Sequence, residues 1–228
     1  MLHSKYLVSN FSQMLKIREP ELLDRKDGHW YKTKFDKIYP SVSTILSATS
    51  SDDKQNNLKS WRENEPAHEY ITSQAQEIGT QSHKIIENYL SNSLSLDEFD
   101  LLPIAHFNNL KPYLENISDV TSIEQRMYSD YLKVAGTSDL IAEYNGKLSI
   151  IDYKTKRKPQ MDEYMYEYYL QTTCYAQMFQ EVTGRKINQV VILVSSEKNT
   201  RQEFIKSCDD YIEPLNERIE KYYLNSLN

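Results

Sequence analysis

Cysteine is scarce in this sequence, and that excludes several classes of metal site at once. The 228 residues contain two cysteines, Cys174 and Cys208, and no CxxC spacing. Neither a zinc ribbon nor a four-cysteine iron–sulfur site can be built from two cysteines, so we expect no iron–sulfur cluster. One disulfide remains open as an alternative, but a reducing compartment is the simpler interpretation.

Long apolar runs and targeting signals are also missing. No stretch approaches the roughly 20 apolar residues that a membrane-spanning helix needs. The first residues, 1–13, have neither the apolar centre of a secretory signal nor an Arg-rich amphipathic pattern. We therefore expect no membrane partner and a cytoplasmic location, in a microbe or in the host cell of a virus.

Positive charge is not in excess: Lys and Arg number 27 against 33 Asp and Glu, a net charge of −6. A protein that coats duplex DNA is usually basic, so the charge counts against a packaging role. An enzyme with a local basic groove stays open, because phosphate contacts depend on where Lys and Arg lie. The 18 tyrosines are unusual. We expect most at half-buried positions, with some able to stack on bases.

The hydrophobic pattern predicts a mostly helical part, residues 1–117, followed by a sheet-containing catalytic core, residues 118–228. Helices are predicted over 44–48, over 54–78 with a break near Pro66, over 80–90 after a restart at Gly79, and over 97–116 with interruptions at Pro103 and Pro112. Strands are predicted over 121–128, 132–135, 137–144, 147–153, 187–195 and 202–206, and further helices over 162–183 and 209–224. This order predicts a single α/β domain.

The most informative segment is a predicted β-hairpin over residues 136–154. Asn145-Gly146 lies between two apolar runs, which is a strong signal for a two-residue hairpin turn. Such a turn sets the register, so counting outward places Asp139 opposite Asp152 on one face of the sheet. A β-bulge would break this count. Lys154 is two residues beyond Asp152 and is expected on the same face.

This arrangement of charges predicts a metal site. Cross-strand neighbours have Cβ atoms about 4.5–5.5 Å apart, and two ionised carboxylates at that distance repel. A hard divalent cation such as Mg²⁺ binds carboxylates, water and phosphate oxygens together. The Lys154 ammonium could orient or deprotonate a water, or stabilise charge on a phosphate. The alternative is a polar outer face with solvated aspartates, but Asp152 follows an apolar strand that is expected to be buried.

Four more residues are candidates for the same site. His83, on a predicted helix, could bind the metal or a phosphate; otherwise it lies at the surface or the core edge. Glu124, on the strand before the hairpin, could supply a further carboxylate or be a solvated charge. Gln171 and Tyr175 are four residues apart on the long helix after the hairpin. They could hydrogen-bond the metal water or the substrate backbone, or lie on an ordinary helix surface.

Two further pairs are candidates for substrate binding. Lys156 and Arg157 belong to a basic cluster that begins at Lys154 and could bind phosphates beyond the cleaved bond; a solvated face is the alternative. Trp61 could stack on a base and Arg62 could hold a phosphate. A core tryptophan beside a surface arginine is the plainer interpretation.

Taken together, these motifs resemble the PD-(D/E)XK nuclease superfamily in its RecB-like exonuclease branch. The resemblance extends over most of the chain from residue 39 onward, and its specific part is Gly136 to Thr155. Ser138 stands where the superfamily name has Pro, which leaves the ligands unchanged. The resemblance implies a mixed central sheet flanked by helices, with a helical N-terminal part that threads or covers a single strand.

The resemblance also implies roles for the site residues. Asp139 and Asp152 would bind Mg²⁺ or Mn²⁺, Lys154 would position or activate the attacking water, and His83 would lie at the metal site. The implied activity is a metal-dependent DNA exonuclease that prefers single strands or free ends. A structure-specific or sequence-specific endonuclease, a catalytically idle nucleic-acid-binding module, and a metal-binding protein that is not a nuclease are the alternatives.

Overall fold

The computed structural model describes residues 10–25 and 28–226. Most of residues 1–13, on which we judged targeting signals, lies outside this range. The helices are α1 (Asn10–Ile17), α2 (Val42–Ala48), α3 (Asp52–Asn64), α4 (His68–Leu90), α5 (Leu101–Leu114), α6 (Tyr166–Thr183) and α7 (Ile212–Asn225). The strands are β1 (Glu21–Arg25), β2 (Gly28–Lys32), β3 (Ile38–Pro40), β4 (Ile117–Ser129), β5 (Val134–Tyr144), β6 (Lys147–Lys156), β7 (Gln189–Ser196) and β8 (Arg201–Ser207).

A five-stranded mixed sheet forms the centre of the fold, in the order β4-β5-β6-β7-β8. Neighbouring strands are antiparallel except β6 and β7, which are parallel and joined through α6. A parallel pair needs such a crossover, and a helix usually supplies it. The predicted fold class, a mixed sheet flanked by helices, is therefore confirmed. The small sheet β1-β2-β3 was not predicted; its strands are three to five residues long.

The central sheet separates two hydrophobic clusters. Ile141 and Ile150 belong to a cluster formed with α1, α2, α6 and α7. Leu140 and Ile151, their immediate neighbours along the two strands, belong to a second cluster with α4 and α5. Alternate side chains of a strand point to opposite faces, so the apolar run of β6 is buried on both sides. The candidate site residues of β5 and β6 lie where the pairing between these two strands ends.

Several predicted boundaries are wrong. Gly79 does not restart the chain, because α4 continues through it; a packed helix tolerates one glycine at a cost of about 1 kcal/mol. Helix α5 runs through Pro103 and Pro112. Pro103 lies in the first turn of the helix. Backbone N–H groups there have no intrahelical acceptor, so the N–H that proline lacks costs no hydrogen bond. The strands predicted over 132–135 and 137–144 form one strand, β5.

The helices before the central sheet are unevenly packed. None of residues 52–81 is buried, which covers α3 and more than half of α4, and we name this stretch the exposed helical segment. Ser51 starts it by accepting a hydrogen bond from the Lys54 backbone N–H. Within the described ranges, no helix is long and apolar enough to cross a bilayer. Cys174 and Cys208 are buried free thiols, so they form no disulfide.

Candidate active site

The hairpin register is as predicted, and its pairing ends at the candidate site. Asn145 and Gly146 both have positive φ, 51° and 73°, as the predicted turn type requires. From this turn β5 and β6 pair residue by residue as far as Leu140 and Ile151. Asp139 and Asp152 are the next positions outward but are not a ladder pair. The strands separate there, and the carboxylate of Asp139 accepts a hydrogen bond from the Tyr153 backbone N–H at 3.1 Å.

Three side chains from three elements meet at this opening: His83 from α4, Glu124 from β4 and Asp139 from β5. Their ligand atoms all lie within 4.8 Å of one another. His83 Nδ1 is 3.5 Å from Asp139 Oδ2 and 4.0 Å from Glu124 Oε1. Its other nitrogen, Nε2, is 2.9 Å from the Tyr153 carbonyl oxygen, to which it can only donate. With Nε2 used in this way, Nδ1 is the ring atom that faces the two carboxylates, and in the neutral tautomer its lone pair is directed toward the space where a shared cation would bind.

Glu124 reaches this cluster through an unusual backbone conformation. Its φ is +48°, in the left-handed region, which costs roughly 1–2 kcal/mol for a residue other than glycine. Ile123 and Gln125 on either side pair with β5 in one register, so the conformation is confined to the residue beside Asp139. Burial, and then the charges of Asp139 and Glu87, raise the pKa of Glu124 to about 8. The backbone strain and the raised pKa both lie where negative charge is concentrated.

Asp152 and Lys154 form an ion pair beside the cluster. Asp152 Oδ2 lies 2.6 Å from Lys154 Nζ, and Asp152 is only 2% exposed. The Lys154 ammonium is the close neighbour of this buried oxygen, and a carboxylate oxygen can accept more than one ligand. Burial raises the pKa of Asp152 to about 6, against the opposing effect of Lys154. Burial disfavours the charge of Lys154, but Asp152 and Asp139 raise its pKa above the usual value. Because Lys154 keeps its proton, it is better suited to orienting a water or stabilising negative charge than to removing a proton.

The donor set fits a hard divalent cation. Asp139 and Glu124 would hold it through the carboxylate oxygens that Mg²⁺ and Mn²⁺ prefer, and His83 would add an imidazole nitrogen, a ligand that transition-metal ions take more readily than Mg²⁺. Asp152 is close enough to Asp139 and His83 for their charges to act on its pKa, and Lys154 is its present neighbour. The sequence predicted Asp139 and Asp152 as metal ligands, with His83 and Glu124 as further candidates. The structure groups Asp139 with Glu124 and His83, and sets Asp152 against the lysine.

Gln171 and Tyr175 have different positions relative to the site. Gln171 borders an open groove, and its side-chain amide donates to the Tyr175 hydroxyl at 2.8 Å. Tyr175 is 4% exposed and packs against Gly136 so closely that a Cβ there would lie 2.6 Å from the ring. Substrate contact by Tyr175, one of our predictions, is not favoured by this burial. The structure instead places it as a support behind Gln171 and β5.

A groove of about 850 Å³ lies between the exposed helical segment and the start of α6. The residues that line it include basic, aromatic and amide side chains: Lys54, Lys59, Arg62, Tyr164, Tyr168 and Gln171. We call it the basic groove. Tyr168 connects it to the site, because the Lys154 ammonium lies 4.9 Å from the centre of the Tyr168 ring. A smaller pocket of about 450 Å³, bordered by His83 and Glu124, opens next to the three-residue cluster.

The remaining predicted substrate residues divide between this groove and the outer surface. Arg62 lines the groove, and Lys156 donates to the Tyr168 hydroxyl at 2.7 Å. Arg157 is exposed on the loop after β6. Trp61 is 37% exposed and packs edge-on to a histidine at 6.0 Å, so its interpretation as a core residue is wrong. It is not among the residues that line the groove.

Sequence reasoning missed Tyr168, Lys54 and Lys59. Tyr168 lies three residues before Gln171, one turn away on the same helix face, and that spacing was a usable signal. The two lysines belong to α3, where charged residues surround the whole helix. A helix that is polar all round has no core-facing stripe from which its orientation could be read.

Comparison with known proteins identifies the family of this chain. The family model of the PD-(D/E)XK nuclease superfamily matches residues 59–226. The human mitochondrial genome maintenance exonuclease 1 is 30% identical over 131 residues, which cover 54% of this chain and 38% of the relative. The mouse protein of the same name is 33% identical over 128 residues, with 53% and 38% covered. The chain thus spans well under half the length of these relatives.

One solved structure, from Eubacterium rectale, was also found to be similar. It is 11% identical, with 65% of this chain and 66% of that chain covered, at a TM-score of 0.45. The family match therefore depends on the sequence comparison.

Proposed function

Because this chain belongs to the PD-(D/E)XK nuclease superfamily, we propose that it is a metal-dependent DNA exonuclease that prefers single strands with a free end. The main support for this proposal is structural: His83, Glu124 and Asp139 form a cluster beside the Asp152–Lys154 ion pair. A cation site and a buried ammonium side by side are what hydrolysis of a phosphodiester requires, since negative charge builds up on the phosphate. An idle binding module has no need of this combination.

The proposed roles of the residues follow from their positions. Asp139, Glu124 and His83 would hold Mg²⁺ or Mn²⁺, with Asp152 available as a further ligand. The bound ion would supply Lewis acidity at a phosphate oxygen and lower the pKa of a coordinated water. Lys154 offsets the charge that develops on the phosphate and orients the attacking water beside Asp152. Hydrolysis then forms a bond from the water oxygen to phosphorus and breaks one phosphorus–oxygen ester bond, and the leaving oxygen takes up a proton that the water gives up.

The preference for single strands is supported by the basic groove. Lys54, Lys59 and Arg62 offer charge to phosphates from one wall, and Tyr164 offers an aromatic ring from the other. Bases stack on aromatic side chains only when they are free of a partner strand. This local concentration of positive charge explains how a chain with a net charge of −6 can bind a polyanion.

The direct test compares linear and circular single-stranded DNA, end-labelled where an end exists, with and without Mg²⁺. We expect degradation of the linear strand alone, and only with the metal. Cleavage of circles would show an endonuclease. No cleavage of either substrate with Mg²⁺ or Mn²⁺ by folded protein would show an idle binding module.

Single substitutions test the assigned residues. Asp152→Ala and Lys154→Ala are each expected to lower the cleavage rate by at least about 100-fold, since removing one group that stabilises transition-state charge has that effect. Both variants should keep the circular-dichroism spectrum of the wild type. Lys147→Ala, at the exposed start of the same strand β6, is the matched control and should cleave at close to the wild-type rate. Wild-type rates in either site variant would contradict the assignment.

A further inference from the structure

Tyr168 contacts two lysines of the candidate site at once. It lies in the first turn of α6, and its ring faces β6. The ammonium groups of Lys154 and Lys156 each lie 4.9 Å from the ring centre. Lys156 also donates a hydrogen bond to the Tyr168 hydroxyl at 2.7 Å. Both contacts are within the range in which an aromatic ring attracts a cation.

The position of Lys154 needs such a contact. Lys154 and Lys156 are two residues apart on one strand, so their side chains leave the same face and their like charges repel. The Lys154 ammonium must nevertheless stay 2.6 Å from Asp152 Oδ2. A four-carbon side chain has several rotatable bonds, and that of Lys154 is still 19% exposed, so other positions of its ammonium are open to it. The Tyr168 ring attracts both ammonium groups, and its hydroxyl fixes Lys156 to one side.

We propose that Tyr168 is a positioning residue that holds the Lys154 ammonium against Asp152 and keeps the charge of Lys156 from displacing it. This inference rests on the proposed nuclease function. It assigns Tyr168 a role in the rate of the chemical step. A tyrosine that merely stacked on a base in the groove would contribute to substrate affinity instead.

The structure offers a matched control for this distinction. Tyr164 lines the same groove one helical turn earlier and is 60% exposed. Neither lysine contacts its ring in the described part of the chain. If both tyrosines served only to stack on bases, Tyr164→Leu and Tyr168→Leu would have similar consequences for binding and none for the maximal rate.

The first experiment measures kcat and KM on linear single-stranded DNA with saturating Mg²⁺. Tyr168→Leu is expected to lower kcat by about tenfold, with KM within threefold of the wild type, because the ring's attraction for the ammonium is lost. Tyr168→Phe keeps the ring and should stay within threefold in kcat. Tyr164→Leu should raise KM and leave kcat unchanged. If Tyr168→Leu fails to fold, Tyr168→Met serves as the second truncation.

A second experiment tests the role assigned to Lys156. In the Tyr168→Leu background, Lys156→Met removes the repelling charge and is expected to recover at least threefold of the lost kcat. No recovery would refute the part of the proposal that concerns Lys156.

A third measurement does not depend on activity. Reductive methylation of metal-free protein, followed by digestion and mass spectrometry, reports how freely the Lys154 amine reacts. Lys154 should be protected in the wild type and in Tyr168→Phe, and several-fold more reactive in Tyr168→Leu. Unchanged reactivity together with an unchanged kcat in Tyr168→Leu would overturn the proposal. A wild type without nuclease activity would instead count against the proposed function, and the methylation pattern would still decide whether Tyr168 positions the lysine.

Discussion

Gly136 is predicted to be indispensable because of the ring that lies against it. A Cβ built at this position would lie 2.6 Å from Tyr175 Cε1 and 3.2 Å from its hydroxyl oxygen. Contacts as short as the first are not found in real structures, so either the tyrosine or β5 must move. Overpacking of this kind typically costs about 1–3 kcal/mol. For a chain of this size that corresponds to a melting temperature lower by roughly 2–12 °C.

Gly79 provides a contrast, because the same substitution there is expected to change stability in the opposite direction. Gly79 lies inside α4, and its added Cβ would meet only Thr155 Oγ1, at an ordinary 3.9 Å. Alanine is better than glycine in a helix by about 0.8–1.0 kcal/mol, so Gly79→Ala should stabilise the protein. The same chemical change is therefore expected to have opposite signs at the two positions.

Urea denaturation followed by circular dichroism, with the cleavage rate measured in parallel, checks both predictions. Gly136→Ala should also lower the rate, because Asp139 follows three residues later on the strand that would have to move. Adding Tyr175→Leu to Gly136→Ala removes the obstructing ring and should recover part of the stability. If Gly136→Ala were as stable as the wild type, the packing argument at Tyr175 would be refuted.

Three further outcomes are expected. Mg²⁺ should raise the melting temperature of the wild type by mass action, and Asp139→Asn should abolish most of that rise; an unchanged rise would place the metal elsewhere. Burial lowers the pKa of His106, which therefore binds fewer protons in the folded than in the unfolded chain. Stability should fall as the pH drops below the unfolded pKa of about 6.5, by at most about 1.4 kcal/mol per pH unit, and urea titrations of His106→Gln should show a weaker dependence. Arg62→Ala should reduce the slope of log affinity for single-stranded DNA against log salt by about 0.7 if Arg62 binds one phosphate; an unchanged slope would remove Arg62 from the interface.

The His106 prediction concerns a buried network centred on Ser195, the β7 residue that pairs with Thr155 next to Lys154. His106 Nδ1 is 2.8 Å from the Ser195 hydroxyl, which also accepts a hydrogen bond from Asn109 at 3.0 Å. These contacts join α5 to β7 across one face of the sheet. Protonating the imidazole would place a charge among buried groups with no carboxylate in hydrogen-bonding contact, which is why acid should weaken this part of the fold first.

Local features of the sequence determined the hairpin that carries Asp139, Asp152 and Lys154. Asn145 and Gly146 adopt positive φ at little cost, and a two-residue turn leaves the strands on either side a single register. Helix α6 and the strand β7 were predicted for similar reasons, since hydrophobic period and length are local properties. The location of the chain in the cell and its division at residue 117 stay predictions.

Only the tertiary structure decided which side chains share the site. His83 and Glu124 are 56 and 15 residues from Asp139, and they meet it because α4 packs against β6 and because β4 adopts a left-handed residue at Glu124. Neither event has a local signature. The contacts of Tyr168 depend in the same way on how α6 crosses from β6 to β7. Asp139, Asp152 and Lys154 could thus be named from the chain alone, because a turn determines its own register, whereas their ligand partners and the Tyr168 contact depend on long-range packing.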